Sequence, residues 1–247
     1  MKKSFVSFDI ETEGLERDLV LSFAKPFKTF DASKIKIGDC KTEEARACKI
    51  ACAKAAHDAE ERAYLDEQAS RGALHPETGR VLSIGFWEGG KPTLLLPHTV
   101  DPNGNLDPEE VERRMLAAFW MRWQGLLDDR GQLISWNGAG FDLPFLQKRS
   151  WILRVPYPRW VRSRGRHWHD SHVDLMQLWG NYDPHAYIKL DHAARALRIG
   201  GKAEQEVSGG SFAPYYREGG ERRDLAIRYA IKDIELTARL AEIMLNL

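Results

Sequence analysis

The run Ser4-Phe5-Val6-Ser7-Phe8-Asp9-Ile10-Glu11-Thr12 alternates apolar and polar residues as a β-strand does. Successive side chains of a strand point to opposite faces, so Asp9 and Glu11 project from the same side. Two carboxylates held side by side repel each other unless a positive charge lies between them. A hard divalent cation, which prefers oxygen ligands, is the first partner to expect. The plainer reading is an exposed strand end with two solvated acids. What decides between them is whether the rest of the chain supplies further acids.

The 247 residues suffice for one large domain with a proper core. Lys plus Arg and Asp plus Glu each total 36, so no global basic field announces a nucleic-acid partner, and any such partner must meet a local patch. The three cysteines, Cys40, Cys48 and Cys52, are odd in number and fit no familiar zinc spacing. They suggest reduced thiols and a cytoplasmic setting. No stretch approaches membrane-spanning length, so no membrane partner is expected.

After the first strand the chain runs from Glu13 to Gly79, too far for a hairpin. Residues 42–70 are rich in Ala, Glu, Lys and Arg and free of Gly and Pro, and Thr42-Glu43-Glu44 suits a helix start, so one long helix or a helical pair is predicted. It is either a solvated structural insertion or an arm for a replication or repair partner. Arg80 to Trp87 and Thr93 to Leu96 read as antiparallel strands around Glu88-Gly89-Gly90. Asp107-Pro108 opens an amphipathic helix to about Leu127. Gln132 to Trp136 is a short strand and Phe141 to Arg149 a helix. Asp174 to Trp179 and Leu190 to Leu197 are predicted helical, Gly200-Gly201 and Gly209-Gly210 to be loops, and Arg222 to Leu245 a closing helix. One α/β domain over residues 1–247, with a helical insertion at about 42–70, is the economical organisation.

Two more acids join the first pair. Asp142 follows a strand in Trp136-Asn137-Gly138-Ala139-Gly140-Phe141-Asp142, where it could equally answer a helix dipole. Asp233 lies four residues after Tyr229 in the closing helix, which puts the two on one face. Taken together, Phe8-Asp9-Ile10-Glu11-Thr12, Asn137-Gly138 with Phe141-Asp142, and Tyr229 with Asp233 resemble the three motifs of the DEDD superfamily of 3′-5′ exonucleases. The branch is the one with Tyr in its third motif, near the stand-alone relatives of family B polymerase proofreading domains. The resemblance implies a ribonuclease H-like α/β fold, a mixed five-stranded sheet flanked by helices.

It also implies a set of roles. Asp9, Glu11, Asp142 and Asp233 would hold two divalent ions, Mg2+ or Mn2+, with Asp9 bridging them, and Tyr229 would position the attacking water. Four acids suit phosphodiester hydrolysis because negative charge accumulates there on an already anionic phosphate. Thr12, Asn137 and Phe141 belong to the same motifs and are candidate substrate contacts. Asp174, in Ser171-His172-Val173-Asp174-Leu175, resembles a His-x-Asp-Leu element of this branch, with an ordinary helix N-cap as the alternative. Lys202 stands where related sequences carry a loop lysine.

From Arg149 to His172 the chain interleaves arginine with tryptophan. Arg149, Trp151, Arg154, Arg159, Trp160, Arg162, Arg164, Arg166 and Trp168 suit phosphates and unstacked bases, or else form a basic loop with tryptophans tucked into the core. His167, His169, Asp170 and His172 sit on an irregular stretch that fixes no ligand geometry.

The reading that collects these features is a metal-dependent 3′-5′ exonuclease that releases nucleoside 5′-monophosphates from the 3′ end of single-stranded DNA. An exoribonuclease like RNase D shares the four acids and Tyr, and DNA differs from RNA at the 2′-hydroxyl, which these motifs do not read. An inactive nucleic-acid-binding scaffold is the third reading, and such a scaffold has no evident use for four such acids.

Overall fold

The structure is a computed structural model that describes residues 4–38, 40–158, 161, 171–200 and 207–246. The chain divides into two compact units, one made of Met1–Glu13 with Arg80–Leu247 and the other of Gly14–Gly79.

The larger unit is built on a five-stranded sheet. In chain order its strands are β1 (Phe5–Gly14), β2 (Gly79–Glu88), β3 (Lys91–Leu95), β4 (Gln132–Ser135) and β5 (His172–Asp174). They lie in the order β3-β2-β1-β4-β5, so the acid-bearing strand is central. The sheet is mixed, since β2 and β3 pair antiparallel while β4 runs parallel to both β1 and β5.

In chain order the helices are α1 (Arg17–Ser22), α2 (Glu43–Ser70), α3 (Pro97–Val100), α4 (Pro108–Asp128), α5 (Asp142–Ile152), α6 (Leu175–Trp179), α7 (Leu190–Ala196), α8 (Gly209–Glu218) and α9 (Gly220–Met244). No described helix is long and apolar enough to cross a membrane.

Alternation along β1 assigns its two faces. Val6, Phe8 and Ile10 are buried in one cluster with Met115, Phe119, Trp120 and Trp123 of α4 and Phe145 and Leu146 of α5. Phe8 and Phe119 bring their ring centroids to 5.3 Å. Each such large apolar side chain contributes about 1.5–3 kcal/mol by leaving water. On the opposite face the Ser7 hydroxyl donates to the Ile234 carbonyl of α9 at 2.7 Å, which seats the closing helix against the strand.

Burial dictates the polar pairs inside this unit. Trp120 and Trp123, almost wholly buried, donate their indole N–H to Ser150 and Ser171 at 2.8 and 3.1 Å. Arg149 lies on α5 and is buried. It turns inward to Glu112 of α4, with Nε and Nη2 at 2.8 and 2.7 Å from the two carboxylate oxygens. The expectation that Arg149 meets substrate is therefore corrected, because its guanidinium is committed to a buried fork.

Two further elements depart from the sequence reading. Gly209-Gly210, expected in a loop, opens α8, because the Ser208 amide donates to the Ser211 hydroxyl at 2.8 Å and caps the first turn. The short strand β5 was not expected; Asp174 closes it and serves as the N-cap of α6, the alternative named for it.

The smaller unit, taken alone, is organised on α2, a single helix of 28 residues. The Thr42 hydroxyl caps it by accepting from the Ala45 amide at 3.2 Å, and Glu43 and Glu44 occupy the first turn. None of its residues is buried. Its neighbours attach by polar contacts: Arg17 to Asp66 at 2.7 Å, Tyr64 to the Lys25 carbonyl at 2.8 Å, and His57 to the Lys28 carbonyl at 2.8 Å. The Phe27 ring lies 5.3 Å from both His57 and Tyr64.

Candidate active site

Asp9 and Glu11 leave β1 on the face turned toward α9, and Asp233 comes from α9 itself. One carboxylate oxygen from each of the three lies within 4.8 Å of the others. Glu11 and Asp233 are buried, and Asp9 is half-buried. Like charges this close in a partly dry pocket are tolerated only with a cation or proton among them. Hard oxygen donors in a shared cradle are the set that Mg2+ or Mn2+ prefers. The residues present fit a divalent ion.

Tyr229 stands one helical turn before Asp233 and is buried beside the acids. Burial raises its pKa far above the ordinary value near 10. The charges of Asp233, Glu11 and Asp9 push the same way, as does its hydrogen bond to Asp233. The hydroxyl stays protonated and donates to that carboxylate.

Asp142 reaches the strand from the other direction. It opens α5 directly after the loop that follows β4, and its Oδ1 accepts the Ile10 amide at 3.0 Å. It stands outside the three-acid cradle. Burial, with a smaller contribution from Asp174, pushes its carboxyl up to about 7, against the hydrogen bond from Ile10.

The loop between β4 and α5 is held tightly. Asn137 takes a left-handed φ of 67°, and its carbonyl accepts the amides of Gly140 and Phe141, each at 3.0 Å. The Ser135 hydroxyl accepts the Gly138 amide at 3.1 Å, and a methyl group on residue 138 would collide with that hydroxyl, so only glycine fits. Asp174 accepts four backbone amides: Asn137, Met176 and Gln177 on Oδ1 at 3.0, 3.0 and 3.3 Å, and Ala139 on Oδ2 at 2.9 Å. It thereby caps α6 and clamps the loop that delivers Asp142. Burial raises its pKa, opposed by those amides.

Of the candidate substrate contacts, Thr12, Asn137 and Phe141 are half-buried, with Thr12 adjoining Glu11 and the other two in the clamped loop. Trp160, Arg162, Arg164 and Lys202 lie outside the described residues, as do Arg159, Arg166, His167, Trp168, His169 and Asp170. Trp151 is exposed and donates its indole N–H to the Tyr157 hydroxyl at 2.8 Å.

Sequence reasoning passed over two contributors. One is Ser7, whose polar side chain on the acid face was the available signal. The other is the start of α8, where a Cβ placed on Gly209 would lie 4.0 Å from both Glu11 Oε2 and the Tyr229 hydroxyl. Its signal was the Ser208–Ser211 spacing.

The chain resembles the family B DNA polymerase from the hyperthermophilic archaeon Pyrobaculum calidifontis, with a TM-score of 0.57 and 17% identity. The match covers 99% of this chain but 25% of that polymerase, and at this identity the likeness is one of fold. The mixed sheet flanked by helices is the ribonuclease H-like arrangement of a polymerase exonuclease domain. No curated protein matches the sequence. A family profile does match, over residues 100–234, a stretch that includes Asp142, Tyr229 and Asp233. Because that match spans more than half of the sequence, the chain belongs to the family of predicted 3′-5′ exonucleases related to the exonuclease domain of PolB.

Proposed function

We propose that this chain is a metal-dependent 3′-5′ exonuclease that shortens single-stranded DNA from its 3′ end and releases nucleoside 5′-monophosphates. The observation that carries the reading is the convergence of Asp9, Glu11 and Asp233, from opposite ends of the sequence, within 4.8 Å and beside Tyr229. Asp9, Glu11 and Asp233 would hold one divalent ion, and Asp9 with Asp142, directly or through water, a second; such ions supply positive charge to the entering and leaving oxygens of the phosphodiester.

The protein's own groups do the positioning. Tyr229, kept neutral, donates to Asp233 and uses its remaining lone pair to orient the attacking water. An orienting role suits it better than proton removal, because its pKa is raised. Burial of Glu11 and Asp233 keeps bulk water away from the reacting phosphate and strengthens every charge interaction there. The clamp of Asp174 on the Asn137–Ala139 loop holds Asp142 in place for the same purpose.

The test is digestion of matched DNA and RNA oligomers labelled at either end, with and without Mg2+ or Mn2+. Stepwise loss from the 3′ end of DNA that stops in chelator and in Asp9→Ala is the expected result. Removing such an oriented charge lowers turnover by about 10²–10³-fold or more. Full activity in excess chelator, or unchanged turnover of Asp9→Ala, would overturn the reading, and preferential digestion of RNA would replace DNA as substrate.

A further inference from the structure

Glu13 continues the alternation of Asp9 and Glu11 on β1 but serves a different arrangement. Its carboxylate is buried and is shared by two guanidinium groups. Arg80, on β2, bonds it through Nε alone, and Arg217, on α8, approaches through Nε at 2.7 Å and Nη2 at 2.6 Å. One carboxylate neutralises one arginine, so the group retains a positive charge. Nη1 and Nη2 of Arg80 carry no hydrogen bond among the described residues. A guanidinium pinned at Nε, with terminal nitrogens that bond no described residue, is preorganised for a two-oxygen anion.

Both arginines line a cavity of about 560 Å³. That volume lies in the range of about 300–1,000 Å³ usual for small-molecule sites. Its apolar lining comes from Val81, Leu82, Leu106 and Val111, and its polar edge from His98 and Tyr216, joined Nδ1 to hydroxyl at 2.7 Å. Burial, and then the charge of Arg223, lower the pKa of His98 and keep its ring neutral. The Arg223 guanidinium lies 5.1 Å from the Tyr216 ring centroid and adds a second positive charge at this edge. Two further acids line it and are engaged elsewhere, Glu112 by the Arg149 guanidinium and Asp101 by the Leu106 amide, so the cavity pairs the two arginines with a largely apolar chamber.

We infer that this cavity is a second, non-catalytic binding site for a nucleoside monophosphate, with the phosphate on Arg80 and Arg217 and the base in the apolar chamber. The choice of a nucleotide over another planar anion rests on the proposed nuclease activity, which makes such molecules nearby. The start of α8 adjoins Glu11 and Tyr229, and Arg217 stands near its other end. A helix of 10 residues spans about 15 Å, so a released mononucleotide starts about one helix length from the cavity.

The test is calorimetric titration of dAMP into the full chain carrying Asp9→Ala, with chelator present, so that neither turnover nor bound metal contributes. Saturable binding at one site is expected, with inorganic phosphate as a weak competitor and deoxyadenosine silent. Arg217→Ala leaves Glu13 paired with Arg80, and Asn103→Trp places bulk on an exposed residue lining the cavity. Each should weaken binding at least tenfold. Absence of dAMP binding, binding unchanged in both variants, or equal binding of deoxyadenosine would overturn the inference. Binding that behaves as expected in a chain that hydrolyses no nucleic acid would sink the proposed nuclease function and leave the site standing.

Discussion

The amide of Ile10 donates to Asp142 Oδ1 at 3.0 Å, joining two acid motifs across 132 positions of sequence. The bond makes Asp142 a structural acceptor as well as a candidate ligand. Asp142→Asn retains an oxygen for Ile10 but loses the charge, so it should melt near the parent while its turnover falls. Asp142→Ala leaves a buried N–H without its acceptor and should cost about 1–3 kcal/mol. Denaturant melts of the two variants check this, and equal stabilities would remove the bond from the account.

Tyr229→Phe keeps the ring in its buried place and deletes only the hydroxyl that donates to Asp233. Turnover should fall by about 10²-fold or more with substrate affinity retained, since in the proposed role the hydroxyl orients the attacking water and does not hold the strand. The same raised pKa means that the pH–rate profile of the parent should show no tyrosine limb up to its ordinary value of 10.0. Separate measurements of kcat and affinity decide the matter, and an equal loss in both would indicate a packing role.

Asp174 gathers four amides from two segments, so its removal should loosen both. Asp174→Ala is expected to destabilise by about 2–4 kcal/mol, a lost N-cap together with lost charge-assisted bonds. Asp174→Asn keeps the Oδ1 set, loses the Ala139 bond and should fall between. Chemical denaturation gives the order, and hydrogen exchange should quicken at Ala139 in both variants and at Asn137 in Asp174→Ala alone.

His172 packs near Phe8 and Trp123, and its Nε2 lies 2.8 Å from the Ser135 hydroxyl. That hydroxyl also accepts the Gly138 amide, which ties the ring to the loop after β4. Loss of water around the ring pushes its pKa down to about 3 from 6.5. An unfolded chain takes up this proton below pH 6.5 and the folded one does not. The resulting stability is fully present above pH 6.5 and drains away as the pH falls toward 3. Melting temperatures between pH 7 and 4 should drop less steeply in His172→Gln than in the parent, and parallel curves would refute the assignment.

The sequence was most legible where periodicity and chemistry coincide. The alternation from Ser4 to Thr12 located the central strand, and the Tyr229–Asp233 spacing located one face of the closing helix. Thr42 with Glu43 and Glu44 marked the start of α2, which is one helix and not a pair. β5 was hidden because three residues carry no period of their own and gain strand geometry from pairing with β4. α8 was hidden by Gly209 and Gly210, which read as a loop until the Ser208 cap offsets them. Arg149 was misread because local sequence records its charge and not the presence of Glu112 one helix away. The cavity is composed from β1, β2, α4, α8 and the segment between β3 and α4, so no local window contains it.

The strict alternation of β1 has a consequence for quality control. Were the strand to pair one position out of step, Phe8 and Ile10 would be driven into the acidic pocket and Asp9 and Glu11 into the aromatic layer. A misthreaded molecule would lose its interior along with its reactive centre. For this chain, any copy compact enough to survive already has Asp9 and Glu11 gathered with Asp233 in one pocket.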